Sequence, residues 1–379
     1  MVQSSNPPAP GTTSMATPST FIFCSCQYGA QAILKQEILS HWPEFKFAFS
    51  RPGFVTFKVP EGFPLKSLPT LDLKSTFTRT SGICLGKVQA QGTAELLKQA
   101  AELVSQSNLE NIKHLHLWQR DTSVPGERQF EPGRKPHTDA LANQLADLLQ
   151  PSGVTNKLTV NKIARPDEKI LDIILVEDNQ WWIGWHQATT TPRCWPGGVY
   201  SIVLPEHIVS RAYLKMEEAI QWSRLPMKSG DLVAEIGSSP GGSCQALLKR
   251  RLNVLGIDPA QMHESLLEIP EFTHIRKKVA DMKRSDFSEV KWLMSDSNVA
   301  PNYTLDSVEH IVTSPKANIR GMLLTLKMIK WELAADLPAY LDRIRSWGYQ
   351  YIRTRQLAFN RQEICVAVMK SRGKRKAKR

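Results

Sequence analysis

Apolar positions in the C-terminal half of the chain fall into short runs that helical stretches separate. Seven of these runs are candidate strands, and they begin near Leu232, Leu252, His274, Lys291, Gly321, Tyr349 and Glu363. Short apolar runs that alternate with helical stretches are typical of a doubly wound α/β sheet. A short turn at residues 358–360 joins the last two runs, so the final strand should insert antiparallel. The pattern predicts a Rossmann-like, seven-stranded domain over residues 205–370.

The N-terminal half predicts two smaller α/β units. The stretch "TFIFCSCQ" alternates as a strand does, and "GAQAILKQEILSHW" has apolar residues at helical spacing. A hairpin around residues 51–53, a helical stretch near 65–74 and the strand "ICLGKVQA" complete a β-α-β-β-α-β order, which is ferredoxin-like. We place this domain at residues 20–90, a second α/β unit at 91–190 and a linker at 191–204.

Charge and composition single out the two ends of the chain. The sequence has 48 Lys and Arg against 36 Asp and Glu, a formal net charge of +12, and six of the basic residues lie in "RGKRKAKR" at the C-terminus. We expect residues 371–379 to be a disordered basic tail that attracts polyanions without sequence specificity. Residues 1–19 are rich in Ser, Thr, Pro and Ala and lack basic residues, which predicts disorder and argues against a signal or transit peptide.

The cysteine spacing and the hydropathy of the chain indicate whether a metal site or a membrane span is expected, and in which cellular compartment. The six cysteines lack the paired CxxC spacing of a zinc site, so we expect no metal. No apolar run approaches the ~18 residues that a membrane span needs. We therefore expect a cytoplasmic protein with reduced thiols and no membrane partner.

The stretch "EIGSSPGGSCQALLKRRLNVLGIDPAQ", residues 235–261, has the pattern of a nucleotide-binding βαβ unit. Glycines at a strand-to-helix turn let a ligand approach the backbone, and Asp258 at the end of the next strand can accept hydrogen bonds from ribose hydroxyls. No Lys-Ser or Lys-Thr follows the glycines, and the spacing differs from G-x-G-x-x-G. The pattern favours a nucleoside ligand without a pyrophosphate, such as S-adenosylmethionine. A glycine turn in an ordinary α/β domain is the alternative.

Four ionisable residues stand out by their positions relative to the predicted strands. Asp296 and Lys327 each end a strand, Glu363 begins the antiparallel one, and Lys215 lies on the helix before the glycine turn. Ligands bind at the carboxyl ends of parallel strands, so these residues should converge there. A strand-end polar residue on its own often merely caps a loop.

A lysine between carboxylates has a chemical use. A neutral lysine amine can remove the proton of a ribose hydroxyl, which is otherwise a poor nucleophile. Desolvation and the nearby Lys215 would lower the pKa of Lys327, whereas Asp296 and Glu363 would raise it. The sequence leaves the net direction open.

The motifs "SRAYLK", "SSPGG", "LTLK" and "RQEICVAV", together with "SD" and "AP" around residues 297–299, resemble those of the FtsJ-type ribose 2′-O-methyltransferases. The resemblance implies a class I methyltransferase fold, S-adenosylmethionine as cofactor, and methylation of a ribose in ribosomal RNA, with a 23S rRNA cytidine as the expected target. Some members of that family carry an N-terminal ferredoxin-like domain and a THUMP domain, and this chain resembles those members. By this resemblance residues 91–190 are a THUMP-like RNA-binding domain, and we expect a monomer that binds large-subunit rRNA or its precursor.

The resemblance also implies a site, residue by residue. The implied cofactor-binding residues are Ser210, Ser239, Pro240, Gly241, Gly242, Asp258, Asp281 and Asp296. Lys327 is implied as the general base, and Lys215, Asp296 and Glu363 complete a Lys-Asp-Lys-Glu tetrad. The chain departs from the family at Glu235, where Asp is common, and at Ser243, where an aromatic residue is common.

Two other functions compete with this interpretation. A non-catalytic RNA-binding or ribosome-assembly protein could keep the fold, but it would have no need for two lysines facing one pocket. A base or protein methyltransferase predicts a different site. Base N-methylating enzymes often have an Asn/Asp-Pro-Pro-Tyr segment after the fourth strand, and this sequence has none.

Overall fold

The computed structural model describes residues 19–133, 135–150 and 158–370. The predicted disordered start (except residue 19) and the predicted basic tail at 371–379 therefore lie outside the described residues. Two sheets organise the described part, one of eight strands and one of seven. We refer to residues 19–190 as the N-terminal region and to residues 205–370 as the C-terminal region.

The eight-stranded sheet belongs to the N-terminal region and has the order β2-β3-β1-β4-β8-β7-β5-β6. Its strands are β1 (Phe21–Ser25), β2 (Lys46–Arg51), β3 (Phe54–Lys58), β4 (Thr80–Gln89), β5 (Ile112–Gln119), β6 (Thr159–Val160), β7 (Lys169–Glu177) and β8 (Gln180–Gln187). Its helices are α1 (Gln31–His41), α2 (Thr93–Gln106) and α3 (Pro136–Leu149).

The first half of this sheet has the strand order of a ferredoxin-like unit, β2-β3-β1-β4. The helix predicted near residues 65–74 is shorter, a 3₁₀ helix at Leu65–Thr70. Pro69 lies inside it and has no backbone N–H to donate, so an α-helix would lose a hydrogen bond there. Strand β4 then pairs antiparallel with β8, with Ile83 opposite Trp185. The two predicted N-terminal domains thus share one continuous sheet, and the boundary near residue 90 stays a prediction.

Part of the predicted linker packs against the N-terminal region. It forms two short 3₁₀ helices, Pro192–Cys194 and Pro196–Gly198, whose residues are buried. The buried guanidinium of Arg193 donates to the carbonyl oxygens of Pro69 (2.7 Å) and Ser81 (3.1 Å). These bonds fix the chain where it leaves the first sheet.

The seven-stranded sheet has the order β11-β10-β9-β12-β13-β15-β14, and only β15 runs antiparallel to its two neighbours. Its strands are β9 (Leu232–Ile236), β10 (Asn253–Ile257), β11 (Phe272–Ile275), β12 (Trp292–Ser295), β13 (Gly321–Lys327), β14 (Tyr351–Arg355) and β15 (Glu363–Met369). Its helices are α4 (Ala212–Ser223), α5 (Gly242–Leu248), α6 (Glu264–Leu267), α7 (Pro301–Val312) and α8 (Leu337–Ser346). The predicted Rossmann-like methyltransferase topology is confirmed.

Hydrophobic packing joins the two regions. One cluster contains Ile22, Leu34 and Phe57 from the N-terminal region and Leu293, Leu324 and Ile364 from the C-terminal region. A second cluster covers the other face of the seven-stranded sheet and includes residues of α4 and α5. Within the described residues, no helix is both long and apolar enough to cross a membrane.

Candidate active site

The glycine turn between β9 and α5 lies against the end of β12. Gly237 and Gly241 have φ angles of +80° and +120°, in the left-handed region that favours glycine. A Cβ atom on Gly237 would lie 2.8 Å from Ser297 Oγ and 3.0 Å from Asp296 O. Glycine is therefore needed for the backbone of the turn to come this close to Asp296.

Asp258 follows β10 and is fixed beside the same turn. Its carboxylate accepts hydrogen bonds from the backbone N–H groups of Ser239 (3.1 Å) and Ala260 (2.8 Å). The residue is half-buried, and a carboxylate has further lone pairs for a ligand. The peptide bond between Ser239 and Pro240 is cis, and the Ser239 hydroxyl donates to Gln261 O at 2.8 Å.

Two further predicted cofactor residues, Ser210 and Asp281, differ in how close they lie to the glycine turn. Ser210 lies directly against the start of α5, since a Cβ atom on Gly242 would be 2.2 Å from Ser210 Oγ. Asp281 ends a 3₁₀ helix, Val279–Asp281, after β11, and it is exposed. Its side chain makes no hydrogen bond or ion pair with another residue of the described part of the chain. Geometry therefore links Ser210, but not Asp281, to the glycine turn.

The four ionisable residues come from three strand ends and one helix. Asp296 follows β12, and its backbone N–H donates to Ile236 O (3.2 Å) at the end of β9. Lys327 ends β13 and Glu363 begins β15, and these two residues are directly opposite each other in the antiparallel pair. Lys215 reaches them from α4.

These side chains form one buried network of ion pairs. Lys215 Nζ lies 3.2 Å from Asp296 Oδ2 and 2.8 Å from Glu363 Oε2. Lys327 Nζ lies 3.2 Å from Asp296 Oδ1 and also donates to Glu363 Oε1. Each lysine therefore contacts both carboxylates. The side chains are between 6% and 15% exposed, so water screens these charges only weakly.

The network determines the protonation of its members. Burial alone would lower the pKa of Lys327, but Asp296 and Glu363 outweigh it and the pKa is raised. Burial alone would raise the pKa of Asp296, but Lys215 and Lys327 outweigh it and the pKa is lowered. The sequence left open whether the pKa of Lys327 is raised or lowered. The contacts raise it, so Lys327 is charged in the free protein.

A third carboxyl group, Glu235 on β9, lies behind the turn. It is fully buried, and burial, aided by Asp296 and Asp258, raises its pKa to about 8. The Cys244 thiol donates to its Oε2 at 3.1 Å, and Oε1 has no hydrogen-bond partner within the described residues. The sequence marked this position only as a departure from the family.

Sequence reasoning also missed a small cavity beside the ion pairs. Polar residues that line it with Lys215 and Asp296 are Ser243, Ser295, Thr325 and Asn360. Strand alternation could have identified Thr325, because it lies two residues before Lys327 and shares its face of β13. Asn360 lies in a turn, where alternation gives no information.

Residues 208–338 match the family model described as FtsJ-like methyltransferase. This part of the chain is therefore similar to FtsJ-like methyltransferases. The matched segment contains Lys215, the glycine turn, Asp258, Asp296 and Lys327, whereas Glu363 lies beyond it.

Curated relatives cover a larger part of the chain. Ribosomal RNA large subunit methyltransferase M of Alkalilimnicola ehrlichii is 28% identical over 181 residues, which are 46% of this chain and 49% of that protein. The protein of the same name from Tolumonas auensis is 25% identical over 222 residues, 55% of this chain and 58% of that protein. The chain thus spans about half the length of the curated relatives it matches.

Among solved structures, TrmN from Thermus thermophilus is 12% identical and covers 92% of this chain and 99% of its own, with a TM-score of 0.34.

Proposed function

We propose that this protein transfers a methyl group from S-adenosylmethionine to a ribose 2′-hydroxyl of large-subunit ribosomal RNA, with a 23S rRNA cytidine as target. The convergence of Lys215, Asp296, Lys327 and Glu363 beside the glycine turn is the observation that supports this most. The FtsJ-like match of residues 208–338 and the names of the curated relatives support the same reaction and substrate class.

The residues at the turn fit a nucleoside cofactor that lacks a pyrophosphate. Asp258 presents a fixed carboxylate that suits a ribose diol, and no lysine follows the glycines to hold a triphosphate. The proposed binding residues are Ser210, Ser239, Pro240, Gly241, Gly242, Asp258 and Asp296, and Asp281 is added on the resemblance of the sequence alone. When bound, S-adenosylmethionine supplies an electrophilic methyl group.

Lys327 is the proposed proton acceptor. The ribose oxygen becomes a better nucleophile as its proton moves to the lysine amine, which must be neutral at that moment. In the free protein Asp296 and Glu363 hold Lys327 as an ammonium ion. Lys215 contacts both carboxylates and so competes with Lys327 for their charge. A further positive charge close by, such as a sulfonium group, would lower the pKa of Lys327.

The N-terminal region is the proposed source of much of the RNA affinity. The tetrad and the glycine turn form one catalytic site, and the proposed THUMP-like domain at residues 91–190 would add the surface that selects the substrate. This assignment rests on the resemblance of the sequence rather than on a contact in the structure.

Mapping ribose methylation across ribosomal RNA tests the proposal. RNA from cells that lack the protein should lose methylation at one large-subunit ribose, and the wild-type gene should restore it. The Lys327→Ala variant should not restore it. An unchanged methylation map in cells that lack the protein would overturn the proposed substrate.

A further inference from the structure

The turn that joins β14 to β15, residues 356–362, leads directly into Glu363. We call it the β14–β15 turn. Its first five residues, 356–360, are at most 5% exposed. Buried backbone N–H and C=O groups need partners, because water cannot reach them. The segments that form hydrogen bonds with this turn therefore also position Glu363.

Helix α4 supplies one set of partners. The carboxylate of Glu218 accepts hydrogen bonds from the backbone N–H groups of Ala358 (2.9 Å) and Phe359 (3.0 Å). Glu218 is fully buried and lies three residues after Lys215, so both side chains project from one face of α4. Helix α4 thus contacts the turn through Glu218, and it contacts Glu363 itself through Lys215.

The N-terminal region supplies the second set. Gln27 follows β1 and is buried, and its side-chain nitrogen donates to the backbone carbonyl of Asn360. Its side-chain oxygen accepts a hydrogen bond from the Gln356 amide. Arg79 donates to the carbonyl of Ala358 at 3.2 Å. Gln27 therefore bridges both ends of the buried part of the turn, across 333 residues of sequence.

Two arginines near the ends of the turn also donate hydrogen bonds to backbone carbonyls of the N-terminal region. Arg355 donates to the carbonyl of Arg79 at 3.0 Å, and Arg361 donates to the carbonyl of Pro125 at 3.0 Å. The path from Gln27 to the tetrad is short, because Asn360 lies three residues before Glu363. Asn360 also lines the cavity beside Lys215 and Asp296.

We propose that Gln27 is a positioning residue for methyl transfer, which holds the β14–β15 turn so that Glu363 meets both lysines. This inference rests on the proposed function. It makes the N-terminal region a structural part of the active site, in addition to its proposed role in RNA affinity. A displacement of a reacting group by about 1 Å can lower a rate on the order of 100-fold, so a loosened turn should act on the rate rather than on binding.

The variant Gln27→Met tests the inference, because Met fills a similar volume and removes both hydrogen bonds of the amide. We expect kcat to fall roughly 10- to 100-fold, with KM for RNA and the Kd of S-adenosylmethionine unchanged. Amide hydrogen exchange should become faster across residues 356–363. Gln27→Glu keeps an acceptor for Gln356 but removes the donor to Asn360, and it should show the same pattern if the Met variant folds poorly.

Thr354→Val is the matched control. Its hydroxyl pairs with that of Thr76 at 2.9 Å across the same junction between the regions, but it lies on β14, before the turn. We expect wild-type kcat and exchange in this variant.

Three kinetic results would overturn the inference: wild-type kcat in both Gln27 variants, a change confined to KM for RNA, or an equal loss of kcat in Thr354→Val. The exchange measurement separates this inference from the proposed function. If the wild-type protein methylated no RNA, the proposed function would fail, and unchanged exchange in the Gln27 variants would independently refute the positioning of the turn.

Discussion

The variant Glu363→Gln should lower the pKa of Lys327 and thereby move the pH profile of methyl transfer. Glutamine has nearly the shape of glutamate, so the substitution removes the charge with little change in volume. Only its oxygen can accept a hydrogen bond, so one of the two lysines also loses its acceptor. In the wild type, burial lowers the pKa of Lys327, but Asp296 and Glu363 raise it above the ordinary value. Without the Glu363 charge, only Asp296 opposes the effect of burial.

The size of the shift follows from the contacts. An opposite charge at hydrogen-bond distance typically changes a pKa by about 1–3 units. Glu363 also contacts Lys215 at 2.8 Å, so its charge is shared between two ammonium groups. We therefore expect a shift near 1 unit, the lower end of that range. Because a neutral amine is required, the rate should rise about tenfold per pH unit below the pKa of Lys327.

Single-turnover rates with saturating RNA and cofactor, measured from about pH 7 to about pH 12, would show this shift, since lysine ordinarily titrates near 10.4 and the pKa of Lys327 is raised. The midpoint should move to lower pH in Glu363→Gln, and the plateau rate should fall because the amines lose an orienting partner. Glu309→Gln is the control: it makes the same change in a carboxylate that pairs with Arg343. A midpoint that does not move, or that moves to higher pH, would refute Lys327 as the titrating base.

Three further predictions concern individual site residues. Lys327→Arg should lower the single-turnover rate about 10²–10⁴-fold, because a guanidinium stays protonated and cannot accept a proton. Cofactor affinity measured by calorimetry should be unchanged. Retention of about a tenth of the rate would mean that Lys327 only positions the substrate. Asp258→Ala should weaken S-adenosylmethionine binding by about 1.5–3 kcal/mol, through loss of a charge-assisted hydrogen bond, and equal affinities in calorimetry would contradict its role. Burial raises the pKa of Asp296, but Lys215 and Lys327 outweigh burial, so the pKa is lowered in the folded protein. The stability from these ion pairs is therefore present above the ordinary aspartate pKa near 3.9 and is lost as pH falls through the lowered pKa of the folded protein. Thermal unfolding of Asp296→Asn should depend less on acid pH than that of the wild type.

Hydrophobic periodicity was sufficient to predict the seven-stranded sheet and the meeting of its strand ends. The parallel strands are short buried runs, and the rule that ligands bind at their carboxyl ends predicts that Asp296 and Lys327 converge. The position of Glu363 opposite Lys327 follows from the antiparallel insertion of the last strand. Local pattern and general topology therefore determine most of the tetrad.

Contacts between distant segments could not be predicted in this way. The pairing of β4 with β8 merges two apparent domains into one sheet, and no local pattern encodes it. Gln27 has no distinguishing sequence context, yet its side chain reaches the turn before Glu363. The pKa of Lys327 was equally inaccessible, because it depends on distances of about 3 Å between residues that lie far apart in sequence.

The chemical position of the transferred methyl group tests the central claim most directly. Ribosomal RNA is incubated with the protein and S-adenosylmethionine that has an isotopically labelled methyl group, then digested to nucleosides and analysed by mass spectrometry. The account predicts label on the ribose of one nucleoside, as a 2′-O-methyl group, and none with Lys327→Ala. Label on a base, or equal ribose labelling by the variant, would contradict it.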